Sequence, residues 1–110
     1  MLVPFRIAII FFTLTATKLF FSEEIIGTIP NNIENLINLT YLHLSSPALT
    51  GIIPSEIGSL INLETLALKN SQLTGMIPSD IVNLINLQHL DLSNNSLSGT
   101  IPYNICDIYP

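Results

Sequence analysis

The chain is short of charge. Only 10% of its 110 residues are Asp, Glu, Lys or Arg, where soluble domains average roughly 25%. Three basic residues, Arg6, Lys18 and Lys69, face eight acids, for a net charge of -5. That balance lacks the electrostatic footprint of a nucleic-acid binder. There is one cysteine, Cys106, so neither an internal disulfide nor a cysteine-based zinc site can form. No apolar run reaches the roughly 20 residues of a membrane-spanning helix, although the mean hydropathy is +0.56. The longest uncharged N-terminal stretch, Ile7 to Thr17, stops at Lys18. Hydrophobic residues make up 48%, too many for a disordered chain. The length allows one domain at most.

The first 22 residues, MLVPFRIAIIFFTLTATKLFFS, differ in composition from the rest. Arg6 supplies a basic start, Ile7 to Thr15 a short apolar core, and Ala16 or Thr17 a small residue for cleavage. This is the layout of a secretory signal peptide, and residues 1–22 are expected to be one. Removal near Ser22 would leave Lys69 as the one basic residue against all eight acids, a net charge of -7.

From Gly27 onward the chain is repetitive. Gly27, Gly51, Gly75 and Gly99 recur every 24 residues, with Pro30, Pro54, Pro78 and Pro102 three places on and an isoleucine before each proline. The full blocks are 27–50, 51–74 and 75–98, with a partial block at 99–110. Eleven of the 24 columns are identical in all three, including Leu-Ile-Asn-Leu at 36, 60 and 84. A repeat of this length signals stacked units that bury a shared core.

Within each block the pattern L-x-x-L-x-L appears as Leu39, Leu42, Leu44, then Leu63, Leu66, Leu68, then Leu87, Leu90, Leu92. The last two of each set alternate, so they line one face of a short strand. The Gly-x-Ile-Pro segment predicts a turn into a second, convex-side strand or extended stretch, since proline belongs at such edges. Ile33, Leu36 and Leu39 recur at threes, which suits a short 3₁₀ or irregular helix. The whole pattern, L-x-x-L-x-L-x-x-N-x-L-[ST]-G-x-I-P, resembles the plant-specific leucine-rich repeat over Gly27 to Pro102. The resemblance implies an α/β solenoid, a right-handed superhelix with a short parallel sheet on its concave face. It also implies extracellular protein recognition rather than catalysis, as in polygalacturonase-inhibiting proteins and receptor-like ectodomains. The partner would be a cell-wall enzyme, a peptide or a co-receptor, and no cofactor is implied.

Two features depart from that family. The asparagine after the strand is present at Asn95, but Ser71 and Pro47 stand in its column. Proline has no N–H and no polar side chain, so a looser turn is expected at Ser46–Ala48. No cysteine-paired cap precedes the first repeat. Lys18, Phe20 and Ile25 fall where an earlier, degenerate half-repeat would place its strand and post-strand leucines. Terminal turns without polar caps expose leucine rows, so self-association through uncapped ends is expected. Cys106 reads either as a capping cysteine without a partner or as a small buried residue.

Chemistry finds little support. His89 and Asp91 share a strand face with Ser93, but that serine lies along the strand rather than across a cleft, and no oxyanion turn accompanies them. His43 is isolated, and the dispersed carboxylates have no metal-ligand spacing. Two sequons, at Asn38 and Asn94, fit N-glycosylation of a secreted chain. The solvent side of the strands instead defines a binding patch: Tyr41, His43, Ser45 and Ser46; Thr65, Ala67, Lys69 and Asn70; His89, Asp91, Ser93 and Asn94. This polar, mixed surface is the expected site of partner contact.

Overall fold

A computed structural model describes residues 5–6, 16–22 and 25–102 of the chain. Cys106, most of residues 1–22 expected to form a signal peptide and the end of the partial repeat therefore lie outside the described residues. The element order follows the 24-residue period. Strands β2 (Lys18–Ser22), β4 (Tyr41–Ser45), β6 (Thr65–Ala67) and β8 (His89–Asp91) form one parallel sheet, in the order β2-β4-β6-β8. Strands β1 (Phe5–Arg6), β3 (Ile25–Thr28), β5 (Leu49–Ile52), β7 (Gln72–Met76) and β9 (Ser96–Ser98) form a second, in the order β1-β3-β5-β7-β9. Among the described residues the helical elements are all 3₁₀ turns, at Asn31–Asn35, Ser55–Ser59 and Ser79–Asn83. This is the leucine-rich-repeat solenoid, with a concave sheet, a convex sheet and a column of tight turns between them.

The triplet spacing has a direct cause. Pro30 cannot donate, but its carbonyl accepts from Ile33 N (3.1 Å); the Ile33 carbonyl accepts from Leu36 N (3.0 Å), and the Leu36 carbonyl from Leu39 N (3.1 Å). The same chain of bonds runs through Pro54, Ile57, Leu60 and Leu63, and again through Pro78, Ile81, Leu84 and Leu87. Bonds between residues three apart stack side chains on one edge, and that edge is the core. Ile33, Leu36, Leu39, Ile57, Leu60, Leu63, Ile81 and Leu84 are fully buried, as are Leu42, Leu44, Leu66 and Leu68 of the concave strands. Each such burial is worth about 1.5–3 kcal/mol.

The half-repeat at the N-terminal side is real, but it sits one residue away from where a 24-residue ruler places it. β2 pairs with β4 as Lys18↔Tyr41, Leu19↔Leu42, Phe20↔His43, Phe21↔Leu44 and Ser22↔Ser45, an offset of 23. Leu19 and Phe21, not Lys18 and Phe20, take the inward positions: Leu19 is 7% exposed and Phe21 packs on the core. Lys18 and Phe20 face solvent. A single-residue change in register reverses every side chain of a strand. Ile25, 2% exposed, does occupy the core.

The loose turn expected at Pro47 is corrected too, because Ser46 supplies what proline cannot. Its Oγ donates to the Ile25 carbonyl (2.7 Å) and accepts from Ala48 N (3.2 Å). Its own N–H donates to Ser71 Oγ (3.0 Å), and its carbonyl accepts from Leu49 N (3.1 Å). In the third block Asn95 closes the turn differently, accepting from Leu73 N and donating to the carbonyls of Leu68, Leu92 and Ser93. Removing the Ser46 hydroxyl strands a buried carbonyl. Ser46→Ala should therefore cost about 1–3 kcal/mol in chemical denaturation, while Ser45→Ala, one residue earlier and half-exposed, should change stability much less.

Candidate protein-binding face

On the concave side, period-two alternation sends one set of side chains outward from each strand. The register aligns them in rows. Lys18, Tyr41, Thr65 and His89 form one row; Phe20, His43, Ala67 and Asp91 form the next. Beyond them lie Ser22 opposite Ser45, with Lys69 and Ser93 two residues past the ends of β6 and β8. The face thus has four strands rather than three. Sequence reading missed the fourth because its residues look like the tail of an export leader.

Most of the expected contact residues come together here. Tyr41, His43, Ser45, Thr65 and Lys69 are half-exposed, as is Asp91, and His89 and Ser93 are exposed. Two depart. Ser46 is 1% exposed, because the strand ends at Ser45 and the next residue turns inward to close the turn; it is not part of the face. Asn70 is exposed, but its identity answers a backbone need. It sits at φ 55°, as Asn94 does at φ 57°, a left-handed conformation that asparagine tolerates better than most residues. The Asn94 amide donates to Asn70 Oδ1 (2.7 Å), so these two extend the stacking of the turns. Ala67, at 7% exposure, forms a shallow floor between His43 and Asp91.

The centre of the face is an aromatic and charged cluster. Phe20 is 60% exposed and lies against the His43 ring, centroids 4.4 Å apart and planes tilted by 31°. Lys69 Nζ is 4.0 Å from Asp91 Oδ2. Both ends of that pair are well exposed, so its contribution is at most about 1 kcal/mol. Asp91 Oδ1 also accepts from Ser93 N (3.0 Å) and Ser93 Oγ (2.5 Å). These bonds, above all that from the Ser93 hydroxyl, hold the Asp91 carboxyl below its ordinary value. His43 is held below its ordinary 6.5, first by burial and then by the Lys69 charge, with Asp91 opposing. The serine–aspartate contact is thus a local strand bond and does not build a triad with His89. Among the described residues no group of three His, Cys, Asp or Glu is placed to hold a metal ion.

A second, polar groove of about 420 Å³ runs along the rim where the chain enters the concave strands, lined by Thr17, Asn38, Thr40, Asn62, Glu64, Asn86 and Gln88. Asn62 and Asn86 donate to the carbonyls of Ile37 (2.8 Å) and Ile61 (2.9 Å) in the preceding turns. Asn38, the first sequon, is exposed at the head of this row.

A family model described as leucine rich repeat matches residues 37–97. The chain belongs to the leucine-rich-repeat family. Among solved structures it is similar to the leucine-rich-repeat ectodomain of the receptor kinase SOBIR1 from Arabidopsis thaliana, at 35% identity over 81% of this chain and 50% of that one, with a TM-score of 0.74. It is likewise similar to a chain of the BIR3–SERK2 complex from Arabidopsis thaliana, at 38% identity over 82% and 49%, TM-score 0.76. A plant ice-binding protein is 36% identical over 74% of this chain and 27% of that one, TM-score 0.69. The chain thus spans half or less of the length of each. No curated protein sequence matches it. No helix among the described residues is long and apolar enough to cross a membrane.

The state of His43 gives the face a pH signature. The folded chain favours the neutral imidazole, so the unfolded chain takes up a proton first as pH falls. The His43 contribution is complete above 6.5 and is lost as pH drops below it toward the lower folded value. Denaturation followed from pH 8 down to 5 should show this decline, and His43→Gln should flatten it.

Proposed function

We propose that this chain is an extracellular recognition module that binds a protein partner through its concave face, without turnover. One observation carries the reading: four parallel strands hold Tyr41, Phe20 stacked on His43, and the Lys69–Asp91 pair on one continuous surface. Aromatic anchors are what protein interfaces concentrate at their centres, with polar and charged groups toward the rim. The similarity to plant receptor ectodomains supports the same reading and its placement outside the cell. A polygalacturonase-inhibitor-like role in defence is the finer form of it; a truncated copy with only a structural role is the competing form.

Size limits the affinity. Three strand spacings and five residues of strand give roughly 14 by 17 Å, about 240 Å². A standard interface takes roughly 800 Å² from each partner. The face is therefore a weak site alone, suited to one extended peptide or to one part of a larger contact. A glycan fits Asn38 better than Asn94, whose amide already bonds to Asn70 beside the face. Phe20→Ala, Tyr41→Ala and Lys69→Ala should each weaken inhibition of a fungal polygalacturonase, or binding to a co-receptor ectodomain, by about 5- to 30-fold, the range for losing 1–2 kcal/mol at an anchor residue. Ser55→Ala and Ser79→Ala on the 3₁₀ turns should not. Equal losses from both sets would remove the concave assignment.

A different surface favours a second reading, adsorption to ice. Outward positions of β3, β5, β7 and β9 on the convex sheet carry no charge: Ile26 and Thr28, Thr50 and Ile52, Gln72, Thr74 and Met76, Ser96 and Ser98. Glycines alternate with these residues on β3, β5 and β7. A Cβ at Gly51 would come within 2.8 Å of Thr28 Cγ2, and one at Gly75 within 3.0 Å of Ile52 Cγ2, so each glycine lets its neighbour lie down. The Thr50 and Thr74 hydroxyls point to the carbonyls of Gly27 and Gly51 at 3.4 Å. On these four strands a periodic, uncharged array of methyl and hydroxyl groups can order water as charges cannot, and one similar structure is a plant ice-binding protein. Thermal hysteresis that Thr74→Lys abolishes and Lys69→Ala spares would establish this reading; no inhibition of ice growth by the wild-type protein would end it.

A further inference from the structure

Seven residues that resemble the tail of an export leader are spent on the fold. Ala16 packs against the core. The Thr17 carbonyl accepts from Thr40 N (2.7 Å), Tyr41 N (3.2 Å) and Thr40 Oγ1 (3.1 Å). The next turns repeat that cradle: Thr40 O accepts from Glu64 N (2.7 Å) and Thr65 N (3.1 Å), and Glu64 O from Gln88 N (2.7 Å) and His89 N (3.0 Å). Thr17 is therefore a repeat position. Lys18–Ser22 then pairs with β4 over five residues, and Leu19 with Phe21 lies beside Leu42 and Leu44, both fully buried. A chain beginning after Ser22 would bare that end of the core.

A leader peptidase requires small residues one and three places before the bond it cuts. Cleavage after Ser22 places Phe20 at the third position, and cleavage after Ala16 places Leu14 there. Cleavage after Thr17 satisfies the rule with Thr15 and Thr17 but removes the carbonyl that anchors β4. Cleavage after Thr15 satisfies it with Thr13 and Thr15 and leaves every residue of the cradle in place.

We propose that the leader is cut at the Thr15–Ala16 bond, so that the mature protein starts at Ala16 and keeps β2 as its first concave strand. Water adds across that amide, leaving a carboxylate on Thr15 and an ammonium on Ala16. The proposal rests on the secretory reading of the N-terminal segment and goes further by fixing the bond. The mature chain retains Lys18 and Lys69 against eight acids, a net charge of -6, and its binding face keeps Phe20. The cut removes β1, whose pairing is limited to Phe5↔Ile25 and Arg6↔Ile26; β3 stays held by β5 through Gly27↔Leu49 and Thr28↔Thr50.

The test is the N-terminus of the full-length, C-terminally tagged chain secreted from plant cells, read by sequencing and intact mass. The expected terminus is Ala16, lost in Thr15→Tyr and restored in Thr15→Ala. A secreted, folded product starting at Lys18 or beyond overturns the proposed bond while leaving export intact. A product that keeps Met1, or that is not exported, defeats the secretory reading and this proposal with it. Two further variants read whether β2 is retained. Lys18→Arg should shift the mass of the mature protein, and Leu19→Ala should lower its melting midpoint. A mature protein indifferent to both would show that the strand had left with the leader.

Discussion

No turn of this chain can cover its own leucines. A 24-residue coil with two short strands and one 3₁₀ turn presents an apolar edge on both sides, and only the next coil can close it. The bonds that matter therefore run between turns. Side chains of Thr40, Thr50, Thr74, Asn62 and Asn86 all reach carbonyls 23 to 25 residues back, and both sheets are ladders between successive coils. Stability in such a body is close to a sum over neighbouring pairs. The position of a turn in the stack then matters as much as its composition. Leu42, Leu44, Leu66 and Leu68, with coils on both sides, are fully buried, while Leu90 and Leu92 in the last full coil are only half-buried.

The same constraint separates structure from recognition within each repeat. Of the columns identical in all three blocks, most fill the core or set the turn. Columns 41/65/89, 43/67/91 and 45/69/93, which point outward on the concave side, are among those that vary. A solenoid can change its partner without touching its packing. One pair of columns breaks the division. Asn62 and Asn86 are identical and exposed because they tie each coil to the carbonyl before it. Ile37, Ile61 and Ile85 are also identical and more than half exposed, and the packing does not account for them.

Periodicity made the solenoid legible: the concave strands, the convex Gly-x-Ile-Pro strands and the triplet turns all stand where the repeated leucines, glycines and prolines place them. What could not be read has physical reasons. β2 stands at an interval of 23 from the next strand, so a ruler of 24 assigns its faces backwards, and its apolar residues mimic a leader. Alternation carried one residue past the end of the strand aims Ser46 at a partner. Only the turn geometry shows that its hydroxyl is consumed by Ile25 and Ala48. The left-handed backbone at Asn70 and Asn94 left a signal in the sequence, the shared asparagine, that could have been read as a turn requirement.

Charge gives the molecule a direction. The acids of the 3₁₀ turns, Glu34, Glu56 and Asp80, lie on the side away from the concave strands, and Glu64 lies on the rim. Both lysines among the described residues, Lys18 and Lys69, project from the concave strands. Asp91 on the same face offsets one of them, so the concave side is less acidic than the 3₁₀ side, a polarity that acts over roughly a Debye length of 8–10 Å and orients an approaching body before contact. The side on which the outward columns vary is thus also the less acidic side, and it carries the exposed ring of Phe20 against His43 beside Tyr41.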